Sequence, residues 1–137
     1  MHSDIELAGS GLKLGADFNF SFSRRQVRRG GKTKSLSRWL ASLTDWSTVM
    51  AYRDHASGSN GVIDIAEESV ADAALEGKTM VVGVNTTCDR SDETTFCTEG
   101  DTVLQRELDK IVTGFASTHP VAGVAIHDYS GWKLLGK

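Results

Sequence analysis

Three short apolar runs each break abruptly into polar side chains, and this repeated switch constrains the fold more than any other feature of the chain. Residues 46–54 pass from Val49, Met50 and Ala51 to Tyr52, Arg53 and Asp54; residues 80–85 run from Met80 through Val84 into Asn85; residues 121–128 run from Val121 through Ile126 into His127 and Asp128. Such runs are too short for helices, and an unbroken apolar run marks a strand covered on both faces, as in a parallel sheet. A fourth segment, residues 12–22, alternates instead: Leu12, Leu14, Ala16, Phe18, Phe20 and Phe22 share one parity, with Asp17 and Asn19 on the other. That alternation predicts a strand with unlike faces.

The intervening segments have the helical period. Leu36, Trp39, Leu40 and Leu43 predict a helix over 34–44 capped by Thr33 or Ser35. A second helix, over 62–76, buries Ile65, Ala66, Val70, Ala73 and Ala74 and stops at Gly77. A third, over 100–117, carries the stripe Leu104, Leu108, Ile111 and Phe115, with Thr98 and Asp101 as its capping pair. With strands over 12–22, 46–53, 79–85 and 121–127, the order is β-α-β-α-β-α-β. The fold class is therefore α/β, with a parallel sheet and right-handed crossovers. All the polar exits then lie at one edge, the carboxyl ends of the strands, where such sheets hold their ligands.

Length fits one domain over 12–137 behind a lead-in of residues 1–11. With 15 basic and 18 acidic residues the formal charge is -3, which demands neither nucleic acid nor an anionic membrane as partner. The basic cluster Arg24, Arg25, Arg28, Arg29, Lys32 and Lys34 reads as a solvated loop closed by Gly30-Gly31, because no aromatic side chains interleave with it. No apolar run approaches the length of a membrane span. The first residues lack the basic and apolar regions of a signal peptide, so the expectation is a cytoplasmic chain or one whose true start lies upstream. Cys88 and Cys97 share one polar loop, at a spacing that suits neither a zinc site nor a redox dithiol; two free surface thiols are expected ahead of a disulfide.

The motifs also exclude. No phosphate-cradling glycine loop and no Gly-x-Ser-x-Gly elbow occurs, which argues against a nucleotide and against a serine triad. His55, His127, Asp54 and Asp128 are suitable residue types for a divalent metal, but no His-x-His pair or helical histidine spacing supports one. No metal and no cofactor is expected, and a metal-dependent hydrolase ranks last among the readings.

The segments Met50-Ala51-Tyr52-Arg53-Asp54 with Gly61, Val82-Gly83-Val84-Asn85-Thr86, Thr95-Phe96 with Glu99-Gly100, and Ala125-Ile126-His127-Asp128-Tyr129 with Trp132 are similar to another protein group. Together they resemble the carboxyl half of a bacterial glycoside-hydrolase-like (β/α)8 barrel family, over about residues 12–135. The resemblance implies a parallel (βα)n half-barrel whose strands stand as five to eight of a TIM-type barrel. Met50, Tyr52 and Asp54 are also similar to the strand-six Met-x-Tyr-Asp segment of chitinase-type glycosidases, in which tyrosine and aspartate contact the sugar. Two departures stand out. The family's seventh strand tends to end in glutamate where this chain has Asn85, and the chitinase-type acidic motif belongs to strand four, ahead of every matched segment.

These residues define the expected site. Glycosidases commonly flank the scissile bond with two carboxyl groups, and Asp54 and Asp128 are the catalytic candidates. Asp17, Tyr52, Arg53, Asn85, His127, Tyr129 and Trp132 are the substrate-binding candidates, the aromatic ones because an apolar face with a polar edge suits a sugar ring. Each has a plainer rival role: Arg53 and Asp54 as a structural ion pair, Trp132 as core cover. The expected function is a carbohydrate site, completed by a homodimer or an amino-terminal half-barrel because four strands cannot close a barrel. The alternative is a non-catalytic structural or assembly half-barrel.

Overall fold

The computed structural model describes residues 11–89, 91–119 and 121–136; the expected lead-in falls almost entirely outside them. Four strands form a wholly parallel sheet: β1 (Gly15–Asn19), β4 (Trp46–Met50), β5 (Val81–Asn85) and β6 (Gly123–His127) lie side by side in chain order. Three helices make the crossovers, α1 (Leu36–Leu43), α2 (Val62–Leu75) and α3 (Asp101–Phe115). The arrangement is compatible with half of a closed barrel. Register is in step across the sheet, with Met50 opposite Gly83 and Gly83 opposite Ala125.

The core follows from strand parity. Phe18, Val49, Val82 and Val84 are buried against Val62, Ile65, Val70, Leu104, Ile111 and Phe115 of the helices. α1 packs on α2, α2 on α3 and on β4, and α3 on β6. Sequential parallel strands joined by right-handed crossovers send every connecting helix to the same side. The opposite parity holds Asp17, Trp46, Thr48, Met50 and Val81, all exposed or half-buried, and Trp46 is 48% exposed. Among the described residues that second face is covered at its carboxyl end, where Asn85 is buried, and is otherwise open, although parallel sheets are as a rule covered on both.

The segment after β1 corrects the sequence reading. The expected strand over 12–22 shortens to β1, because the chain turns through a 3₁₀ helix at Phe20–Arg24. The expected basic loop is instead a two-stranded antiparallel ribbon, β2 (Gln26–Arg29) paired with β3 (Lys32–Ser35). Gly30 and Gly31 both have positive φ, 56° and 76°, the conformation of the tight turn whose twist suits a hairpin. Val27 O accepts the Trp39 indole N–H at 3.0 Å, and the Lys34 ammonium lies 4.9 Å over the Trp39 ring. Trp39 therefore covers the ribbon instead of the sheet. The residues α1 buries are the small ones, Ser37 and Ala41, and Asp72 of α2 accepts hydrogen bonds from both Ser35 and Ser37.

The helix ends agree in part. Ser35 caps α1, its hydroxyl accepting Arg38 N–H at 3.1 Å. Gly77, at φ +70°, closes α2 with Lys78 N–H on Ala73 O and Gly77 N–H on Ala74 O, a Schellman ending. The α3 stripe is buried as expected, but its amino end is Gly100, with no side-chain cap from Thr98. One further helix, α4 (Tyr129–Leu134), follows β6 and is capped by Asp128. Cys88 and Cys97 are joined, with Cα atoms 5.3 Å apart, which corrects the expectation of free thiols. No helix is long and apolar enough to cross a membrane.

Candidate functional site

A cavity of about 440 Å³ opens on the uncovered sheet face. Its floor is Asp17, Thr48, Met50, Gly83 and Ala125, one or two residues from each strand, and its wall is Tyr52, His127, Asp128 and Tyr129 at or beyond the strand ends. Each floor residue sits on the parity that points away from the helices, and Gly83 leaves the middle of the floor without a side chain. Tyr52 and His127 stack across it, ring centroids 6.0 Å apart and planes within 16°. A second cavity of about 250 Å³ adjoins, lined by Asn19, Phe20, Met50, Tyr52, Arg53 and Thr94. Met50 and Tyr52 belong to both, so the tyrosine stands as a partition between two compartments.

The expected site residues divide three ways. Asp17, Tyr52, His127, Asp128 and Tyr129 come together in the larger cavity, and Arg53 in the smaller. Asp17 has no hydrogen-bond partner among the described residues, so its carboxylate is available. Asp128 spends Oδ1 on the Gly131 N–H at 2.8 Å, holding the start of α4. Asp54, Asn85 and Trp132 line neither cavity.

Those three have other partners. Asp54 Oδ1 lies 2.5 Å from His55 Nδ1, while the Arg53 guanidinium donates to Tyr52 O and Asn60 Oδ1 and lies 5.4 Å from the Phe20 ring centre. The expected Arg53–Asp54 ion pair does not form. Asn85 is fully buried; its Oδ1 accepts the Thr87 N–H and hydroxyl at 3.1 and 3.0 Å, and its Nδ2 has no acceptor among the described residues. Trp132 packs on the core, and its indole donates to Asp101 Oδ1 at 3.1 Å, tying α4 to α3.

The site rests on two anchors, the first of which no sequence pattern singled out. Glu107, on the apolar side of α3 and only 4% exposed, accepts the Ala56 N–H at 2.9 Å and so fixes the loop that leaves Tyr52 and Arg53. Burial pushes its carboxyl up, but bonds from Lys110, Ala56 N–H and Arg106 outweigh burial and hold it below the usual value. The second anchor is the loop after β5, where Phe96 N–H bonds Asn85 O at 2.9 Å and Glu93 O receives Asp54 N–H at 3.2 Å. Thr48, Gly83 and Ala125 were also missed as lining, though strand parity with Tyr52 and Asp17 contained the signal. Among the described residues, no three His, Cys, Asp or Glu side chains gather as metal ligands would.

No family model, curated protein or solved structure matches the chain. The functional reading therefore rests on the geometry and on the motifs above.

Proposed function

We propose that this chain supplies the carboxyl-edge part of a carbohydrate-binding site in a (β/α)8-type barrel, its four parallel strands standing as strands five to eight. The observation that supports it most is the tyrosine-partitioned pair of cavities at the carboxyl edge. Tyr52 offers ring surface to a sugar, while Asp17, Asp128 and Arg53 offer charge-assisted hydrogen bonds to hydroxyls and His127 a ring nitrogen. Volumes of this order suit small ligands. In this reading Tyr129, 68% exposed at the rim, extends the stacking surface. The remaining strands come from a second copy of this chain or from an amino-terminal half of a longer protein.

Binding, not hydrolysis, is the activity proposed for this chain alone. Asp54 is engaged with His55 away from the cavity, Asp128 caps a helix, and the Asn85 amide cannot exchange a proton in acid–base work. A glycan-array screen followed by calorimetry tests the reading. Tyr52→Ala and Asp17→Asn are each expected to weaken a bound neutral oligosaccharide about tenfold, the equivalent of ~1.4 kcal/mol, with the fold unchanged. Absence of glycan binding, or binding indifferent to both substitutions, refutes it.

A further inference from the structure

The ribbon β2–β3 concentrates cations in a chain that is acidic overall. Arg24 is near Glu68 at 3.7 Å, and Lys34 is bonded to Glu76 at 2.7 Å. Arg25, Arg28, Arg29 and Lys32 are exposed, and among the described residues none of them has an acidic partner. The register sets Arg29 directly across the ribbon from Lys32, next to the turn. Like charges facing each other across an antiparallel pair are destabilising, and an isolated two-stranded ribbon has little stability to spare. A bound anion between the two would turn that repulsion into attraction.

The ribbon is also held in place. Glu76, at the end of α2, accepts bonds from both Lys34 and Arg38, and Trp39 lies beneath it. The Gln26, Thr33 and Ser35 face opens onto a cavity of about 550 Å³ that Arg24 and Arg38 line together with the acidic Glu68 and Asp72. Arg28, opposite Thr33, continues that face outward. Strand alternation puts Arg29 and Lys32 on the other face of the ribbon, the one that Lys34 shares, so the cationic pair beside the turn stands apart from that trough.

We propose that the ribbon binds an acidic polysaccharide, one bearing sulfate or uronate groups, with Arg29 and Lys32 clamping one anionic group beside the turn. The choice of a glycan rests on the reading above. Nucleic acid fits less well: Trp39 is occupied beneath Lys34 and leaves the ribbon no aromatic platform for bases. The sequence pI of about 5.8 is also far from the strongly basic balance of nucleic-acid-binding domains.

Titration of the full chain with heparin fragments and with oligogalacturonate, read by calorimetry and thermal shift, tests this. Binding that raises the melting temperature and weakens as salt increases is expected. Lys32→Glu should raise the melting temperature without ligand, because it faces Arg29 with an opposite charge, and should weaken acidic-glycan binding at least tenfold. Arg29→Gln should weaken binding similarly. No binding of either glycan, or binding unchanged in both variants, overturns the proposal. So does tighter binding of a single-stranded oligonucleotide or of phosphatidylserine vesicles. Neutral oligosaccharides separate the two sites: a binder sensitive to Tyr52→Ala but not to Lys32→Glu belongs to the sheet edge. Lys32-dependent binding of acidic glycans with no neutral binder leaves the ribbon site standing and the sheet-edge reading refuted.

Discussion

Glu107 shows how one side chain can hold a site it does not touch. Its carboxylate accepts the N–H of Ala56, whose side chain is wholly buried, on the loop that follows Tyr52 and Arg53. Glu107→Ala strands that buried donor and should cost about 1–3 kcal/mol, seen as a lower urea midpoint. Glu76 is the second carboxylate held below its ordinary value, by its hydrogen bonds from Lys34 and Arg38. For both, the folded-state value is lowered from 4.5. Each therefore stabilises the fold above the unfolded value, and that stabilisation is lost as pH falls through the folded value. Urea midpoints taken from neutral pH downward should drop below about pH 4.5, and the drop should be smaller in Glu107→Gln. At this scale Glu107 was legible only as a misfit, an acid among Leu104, Leu108 and Ile111. Sequence spacing places it near the buried face, but the donor it serves lies 51 residues away.

Among the elements, the loop between β5 and α3 joins the sheet edge to the smaller cavity. The Cys88–Cys97 bridge closes it over a separation of 9 residues. Phe96 is buried beneath it, and Thr94 reaches the cavity shared with Tyr52 and Arg53. In the chain-entropy model a loop of this size is worth about 2.5 kcal/mol, so Cys88→Ser/Cys97→Ser should lower the melting temperature by about 10 °C in calorimetry. The spacing alone could not decide between thiols and a bridge, because pairing depends on Cα separation, which the turn at Asp92–Thr94 sets. The helices were easier to read: the α3 stripe is buried residue for residue. α1 misled at Trp39, which serves a ribbon whose existence depended on reading Gly30-Gly31 as a hairpin turn, while Leu40 of the same stripe packs on the core.

For the whole molecule, the sheet covered on one face is the feature with the widest consequence. Trp46, Thr48, Met50 and Val81 lie on the bare side, and bare apolar faces and parallel-sheet edges favour association. Sedimentation should show self-association of this chain that Met50→Lys diminishes; a monodisperse monomer across the accessible concentration range would count against a second copy as the completing half. Sequence by itself determined the order of the four sheet strands and their three crossover helices, and the parallel direction of the sheet, because period and run length report local burial. It also brought Tyr52, His127 and Asp128 to one edge, since strand ends follow from strand order. Only the tertiary structure decided which carboxylates remain available. Asp17 faces the cavity, Asp54 turns to His55, and Asn85 is sealed under the Thr87 and Phe96 loop. Such choices depend on contacts between residues far apart in sequence, whose hydrogen-bonding demands no local pattern encodes.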